Sequence, residues 1–327
     1  MSSSSVSEVT LADVRDAHDR IRAHIRRTPV LTSRAIDELV GARLAFKCES
    51  FQRGGSFKIR GALNAVLSLD ERSAMRGVAT HSSGNFGAAL AIAAGVRGVP
   101  AYIVVPTNAP RVKRAAIEGY GGIVTECAPN VPAREAMLAA VVAKTGAQFV
   151  HPYDDARIVA GQATATVELL EDAPDLEQIW VPVGGGGLAS GAAVAARALA
   201  PRVAVVAAEP SGADDAFRSL ASGRIEPMAN PATIADGLRT PLGRINFAIL
   251  SSQGVTVALA SEAAIVRATR LFFERMKLVV EPSGAVPLAA LIEAPKSRKA
   301  RRIGVLVSGG NVDLDALAAL FASGGAT

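Results

Sequence analysis

Lys58 stands in Gly54-Gly55-Ser56-Phe57-Lys58-Ile59-Arg60-Gly61-Ala62, between a glycine turn and an apolar, helix-like run. Ser56 has the side chain of an N-cap, which would place Lys58 in the first turn of a helix. A cation there opposes the helix dipole, and Phe57 and Ile59 would leave its ammonium poorly hydrated. Both effects lower a lysine pKa, and a neutral amine is what imine chemistry needs. Taken alone, the pattern fits equally a lysine whose stem packs while its head reaches solvent.

Four other loops carry candidate chemistry. Gly184-Gly185-Gly186-Gly187 follows the strand-like Ile179–Val183 and precedes a helix-like run from Leu188. Backbone N–H groups left free at a helix N-terminus form a phosphate site. No Gly-Lys-Ser/Thr follows, so this is not a Walker loop. Gly184, Gly186 and Ala189 also fit Gly-x-Gly-x-x-Ala, with Glu209 where a ribose-binding acid would sit, so an NAD-dependent oxidoreductase stays open at this point. Thr80-His81-Ser82-Ser83-Gly84-Asn85-Phe86-Gly87 offers hydroxyls, an amide and helix N-terminal N–H groups. Together they can hold a carboxylate, or merely cap a helix. Ser308, in Val307-Ser308-Gly309-Gly310-Asn311-Val312, offers one hydroxyl where a strand should stop. Glu209 and Asp215, with a backbone carbonyl between them, suit a hard divalent cation or a solvated acidic loop.

These loops need strands and helices to hold them. Strand-like runs (Arg43–Cys48, Gly77–Thr80, Ala101–Val105, Gly122–Thr125, Gln178–Val183, Val203–Ala208, Ile303–Val307) alternate with Ala-rich helix-like stretches. The latter include Phe86–Ala94, Arg111–Gly119, Pro132–Lys144, Ala156–Leu170, Leu188–Leu199 and Glu262–Met276. The alternation predicts an α/β protein with mostly parallel sheets covered by helices. Gly77–Phe149 reads as its own βαβαβα unit, and His151-Pro152-Tyr153-Asp154-Asp155 as the return linker. The expected organisation is a discontinuous large domain, 1–76 and 150–327, with a small domain, 77–149, inserted in it. The active site belongs in the cleft between them, at strand C-termini.

Composition narrows the partners. The 327 residues are half hydrophobic, with a net charge of +5. The one dense basic run, Lys296-Ser297-Arg298-Lys299-Ala300-Arg301-Arg302, has no interleaved aromatics and reads as a solvated loop, not a nucleic-acid site. Cys48 and Cys127 have no metal-type spacing and fit a reducing compartment. Met1–Val9 is polar and Ser-rich, a flexible tail and not a signal peptide. No run of ~18 apolar residues occurs, so no membrane partner is expected and the location is expected to be cytoplasmic.

Read together, SFKIRGALNA, THSSGNFGAAL, IAGQAT, VPVGGGGLASG, AAEPSGADD, TIADGLRT, ERMKLVVEPSGA and LVSGGNVDL resemble one family in content and order, from about Thr28 to Leu314. It is the fold-type II pyridoxal-phosphate enzymes (tryptophan synthase β-like), in the branch of serine/threonine dehydratases and serine racemases. The resemblance implies two α/β domains with twisted, mostly parallel sheets, and pyridoxal 5'-phosphate as cofactor. Lys58 would be the Schiff-base lysine and the base on one substrate face, with Phe57 beside the cofactor. Asn85 would bond the ring hydroxyl. Gly184, Gly185, Gly186, Gly187 and Leu188 would cradle the phosphate, and Ser308 would face the pyridine nitrogen. Ser82, Ser83 and Gly84 would bind the substrate carboxylate, with Arg134 on the substrate side. Glu209, the Ala213 carbonyl and Asp215 would hold Mg²⁺ or another divalent cation. A homodimer is implied as well.

A neutral Ser308 hydroxyl limits delocalisation into the ring and favours prompt loss of a β-leaving group. The implied activity is therefore an ammonia-lyase (dehydratase), taking an L-β-hydroxy amino acid, threonine or serine, to a 2-oxo acid and ammonia. Ser83 keeps a serine or aspartate racemase with side elimination open, because a serine there lies opposite the lysine in the family's racemases. Phe86 replaces the usual histidine and suggests a more apolar site that tolerates bulkier β-substituents, aryl-serines included. Ala88 replaces a glutamine of the ATP site found in the nucleotide-activated racemase, whereas Tyr120 and Asn311 match it. ATP activation is therefore not expected.

Overall fold

The computed structural model describes residues 9–82, 84–109, 111–294 and 300–323. Near-continuous apolar, β-branched runs such as Arg302–Val307 are the signature of strands covered on both faces. Among the described residues ten strands form: β1 Val30–Leu31, β2 Arg43–Cys48, β3 Val78–His81, β4 Ala101–Pro106, β5 Ile123–Cys127, β6 Gln148–Phe149, β7 Gln178–Pro182, β8 Ala204–Pro210, β9 Thr256–Ala260 and β10 Arg302–Val307. One sheet of six runs β1-β2-β10-β7-β8-β9, and one of four runs β5-β4-β3-β6. Every pairing is parallel except the short β1 with β2.

The expected strands are present with ends shifted by a residue or two. The edge strand β9 has no clear alternation to announce it. The helix expected over Glu262–Met276 stops at Leu271 and continues as a π turn, Phe272–Met276, because Lys277 takes a left-handed backbone (φ 58°).

Three helices stack in the order Lys58–Leu67, Ala156–Asp172, Gly187–Leu199. Glycines set their spacing. A Cβ at Gly161 would lie 2.6 Å from both the Arg60 carbonyl oxygen and the Gly61 Cα, and one at Gly191 2.6 Å from the Ala163 nitrogen. The middle helix thus fixes how far the Lys58 helix stands from the helix that follows the glycine loop.

A buried ionic cluster locks the same helix. The Arg60 guanidinium donates to both Glu49 oxygens at 2.8 Å, to Glu168 at 2.7 and 2.8 Å and to Thr164 at 3.1 Å. Lys47 reaches Glu168 at 2.7 Å and donates to the Thr28 carbonyl. Two cations and two carboxylates balance where none of the four is solvated, so removing any one leaves an uncompensated buried charge.

Candidate active site

Strand C-termini bring the expected loops together. His81 ends β3, Gly184 follows β7, Glu209 lies at the end of β8, and Ser308 follows β10. Ser56 does not cap the Lys58 helix. Phe57 occupies the N-cap position without a side-chain bond, and Ser56 instead bridges to Gly309. Phe57 N–H donates to the Ser308 carbonyl at 3.0 Å and Gly310 N–H to the Gly55 carbonyl at 2.9 Å. The Lys58 and Ser308 loops are therefore zipped together, and Lys58 opens its helix. Its ammonium lies 4.8 Å from the Phe57 ring centroid. Loss of hydration pushes it down to about 8, against the attraction of Glu281.

The four glycines are required by packing. A Cβ on Gly185 would enter the Tyr153 ring, 2.3 Å from its nearest atom, and one on Gly184 would meet the Leu238 backbone. Gly186 has φ +93°, and a Cβ there would strike Asn246 and Leu242. Asn246 ties the loop down, donating to the carbonyls of Gly185 and Tyr153. Gly185 N–H is taken by the Thr240 hydroxyl. No protein acceptor among the described residues takes the N–H groups of Gly186, Gly187 and Leu188. Those three amides, at the N-terminus of Gly187–Leu199, fit a phosphate.

Asn85 opens the helix Asn85–Arg97. Its amide donates to Glu281 at 2.8 Å, and its carbonyl accepts from Asn311 at 3.0 Å. Glu281 was missed by the sequence reading, although it stands in the quoted ERMKLVVEPSGA, one residue before a proline that begins a helix. Burial pushes its carboxyl up to about 7, helped by Asp236 and opposed by Lys113, Asn85 and Lys58. Ser82 accepts from the N–H groups of Gly84 and Gly87 and so caps the Asn85 helix. Ser83 lies outside the described residues, as does the start of the basic run, 296–299.

Arg134, on the helix Val131–Thr145, is half-buried and has no ion-pair partner among the described residues. Its charge is felt by His81 and by Tyr153. Phe86, expected to make the site more apolar, is 3% exposed and belongs to the core that packs on the four-stranded sheet. Its ring therefore packs in the core and does not itself line the site. Ala88, Tyr120 and Asn311 line one cavity of about 480 Å³ with Asn85 and Glu281, which an ion pair between Lys113 and Asp236 borders.

Glu209 accepts from the N–H groups of Ala216 and Phe217, at 3.0 and 2.9 Å. Both its oxygens face the start of the helix Asp215–Ser222, which is incompatible with a ribose-binding acid. Burial pushes its carboxyl up to about 8, and Asp215 adds to this. Asp215 Oδ2 accepts from Leu242 N–H at 2.8 Å, whereas its Oδ1 is buried with no partner. Ala213 is buried beside them. Among the described residues no group of three or more His, Cys, Asp or Glu could hold a metal; this candidate is two carboxylates and a carbonyl. Two dehydrated carboxylates, one with an orphaned oxygen, fit a hard divalent cation.

Comparison with known proteins agrees with the resemblance. The family model described as pyridoxal-phosphate dependent enzyme matches residues 21–309. A β-hydroxyaspartate dehydratase of Paracoccus denitrificans is 47% identical over 308 residues, 94% of this chain and 98% of that protein. The crystal structure of serine racemase from Dictyostelium discoideum superposes with a TM-score of 0.90 at 48% identity, covering 93% of this chain and 99% of that one. The crystal structure of a threonine deaminase from T.th. gives 0.89 at 43% identity, with coverage of 93% and 99%. The chain belongs to the pyridoxal-phosphate-dependent enzyme family, with the fold-type II α/β architecture.

Proposed function

We propose that this pyridoxal-phosphate enzyme is an ammonia-lyase that dehydrates an L-β-hydroxy amino acid to a 2-oxo acid and ammonia. The observation that carries the reading is the convergence on one cleft of a lysine with depressed pKa, three free helix-terminal amides, and the Asn85–Glu281 pair. Bound there, the cofactor supplies an electron-withdrawing ring that acidifies the substrate's α-hydrogen. The rest is done by this chain. Gly186, Gly187 and Leu188 hold the phosphate, with Gly184 and Gly185 shaping the loop. Asn85 and Glu281 hold the ring hydroxyl, Phe57 flanks the ring, and Ser308 faces its nitrogen without a charge. Ser82, Ser83 and Gly84 hold the substrate carboxylate. Lys58, its pKa lowered by burial, would take the α-proton.

In this reading residues 77–149 are the small, substrate-loop domain, and 1–76 with 150–327 the large one. Glu209, the Ala213 carbonyl and Asp215 bind Mg²⁺ or a similar cation, and the enzyme works as a cytoplasmic homodimer. No helix among the described residues is long and apolar enough to cross a membrane. The dehydratase relative acts, by its name, on β-hydroxyaspartate, which makes that compound a candidate beside threonine and serine. The serine racemase relatives and Ser83 favour racemisation as a second activity.

The test is incubation with L-serine, D-serine, L-threonine, L-threo-3-hydroxyaspartate and L-threo-phenylserine, quantifying oxo acid, ammonia and enantiomer. Oxo acid with stoichiometric ammonia from at least one β-hydroxy substrate is expected. Inversion without elimination would make the chain a racemase instead. Ser83→Ala should remove inversion and spare elimination; inversion that survives would contradict the second-base role of Ser83.

A further inference from the structure

His151 and Tyr153 lie in the segment that the sequence presents as a return linker, and the roles above do not use them. The structure holds both rigidly. His151 Nδ1 accepts from the N–H groups of Tyr153 at 3.3 Å and Asp154 at 2.8 Å. A nitrogen that accepts carries no proton, so in the neutral ring the hydrogen sits on Nε2. The ring is clamped edge-on by Tyr153 (centroids 4.6 Å, 89°) and by Phe149 (5.8 Å, 69°), and Phe149 stacks on His81 (6.3 Å, 22°). With Nδ1 turned into its own loop, Nε2 faces the other way. The described residues offer it no acceptor. The Tyr153 ring that it meets lies against Gly185, which sets His151 beside the glycine loop.

Its neighbours complete a pattern. Tyr153 lies over Gly185 of the glycine loop, and its hydroxyl has no protein partner among the described residues. One ring N–H and one O–H, both without a protein partner among the described residues, therefore stand beside the glycine loop.

We propose that His151 reads the substrate's side chain: its Nε2–H and the Tyr153 hydroxyl form a pair of donors for a β-substituent rich in acceptor oxygens, a carboxylate above all. This rests on the lyase reading of the same cleft. Two donors there bind a β-carboxylate well and are left unpaired when a methyl or an aryl ring takes that place.

Two substitutions separate this role from a structural one. His151→Asn keeps an oxygen where Nδ1 caps the loop and deletes the distal donor. His151→Gln keeps a distal N–H and loses the cap. Tyr153→Phe removes only the hydroxyl. For each, kcat/KM is measured with L-threo-3-hydroxyaspartate and with L-serine, alongside Tm and the ¹⁵N shifts of the His151 ring. One hydrogen bond to a charged group corresponds to about 10- to 100-fold. His151→Asn should lower the hydroxyaspartate-to-serine ratio by that factor with little change in Tm, and Tyr153→Phe should lower it in the same direction. His151→Gln should lower Tm more than it lowers the ratio. The wild-type ring should show a protonated Nε2 and a bare Nδ1. An unchanged ratio in both His151→Asn and Tyr153→Phe, or a proton found on Nδ1, overturns the assignment and leaves the lyase reading intact. If His151→Asn does not fold, Tyr153→Phe decides by the same ratio. Wild-type enzyme that binds pyridoxal phosphate but eliminates from neither substrate overturns the lyase reading and the assignment with it.

Discussion

Gly161→Ala tests the idea that a helix stack sets the distance between Lys58 and the glycine cradle. The added Cβ would sit 2.6 Å from two backbone atoms of the Lys58 helix, where ordinary contact begins at 3.4 Å. Backbone cannot rotate aside, so the two helices must part by about 0.8 Å. Overpacking of this kind costs about 1–3 kcal/mol, and removing a helical glycine returns about 0.5–1 kcal/mol. The net loss, at most about 2.5 kcal/mol, should lower Tm by up to roughly 4 °C in a chain of this length. The functional effect should be larger, because a reacting group misplaced by about 1 Å costs on the order of 100-fold in rate. Gly95→Ala is the matched control. It lies within the helix Asn85–Arg97, and a Cβ there meets nothing within 4 Å. It should keep full activity and gain slightly in Tm. The assay is kcat with saturating pyridoxal phosphate, beside thermal melts of both variants. A Gly161→Ala enzyme with wild-type kcat would show that the stack does not position Lys58.

Arg60→Met leaves Glu49 and Glu168 facing only Lys47, and should destabilise by about 3–5 kcal/mol in denaturant unfolding. Glu281 titrates near 7 in the fold against an ordinary 4.5, so between these values the folded chain binds more protons than the unfolded one. The Glu281 share of the stability of the cofactor-free protein should therefore fall as pH rises from about 4.5 to 7, by at most about 3 kcal/mol, and Glu281→Gln should remove that share of the slope in pH-dependent melts and leave the share of Glu209, which is pushed up to about 8. Millimolar Mg²⁺ should raise Tm of the wild type, and Asp215→Asn should abolish the rise; an equal rise in both would place the cation elsewhere.

How much was legible in the sequence follows from what each feature depends on. Parallel strands and their loops were readable because strands buried on both faces are apolar throughout, and because glycine runs at their ends leave few alternatives. Lys58, Asn85, the four glycines and Ser308 became candidates through those loops. Glu281 was not, because it pairs across 196 residues with Asn85, and no local pattern announces such a partner. The Ser56 cap was misjudged because the bridge to Gly309 claims that residue for the opposite loop. The packing of Phe86 was hidden for a similar reason: its place in the chain is beside the carboxylate loop, but its side chain belongs to the core. His151 looked like linker because its backbone donors, Tyr153 and Asp154, lie inside the linker itself, and the stacking of Phe149 on His81 is what ties its ring to a distant part of the chain.

The central claim is that Lys58 tethers the cofactor. Protein loaded with pyridoxal phosphate, reduced with borohydride and mapped by peptide mass spectrometry reads this directly. The account predicts a single pyridoxyl adduct on Lys58, and no fixed adduct in Lys58→Ala. An adduct at another lysine, or turnover that survives in Lys58→Ala, would contradict it.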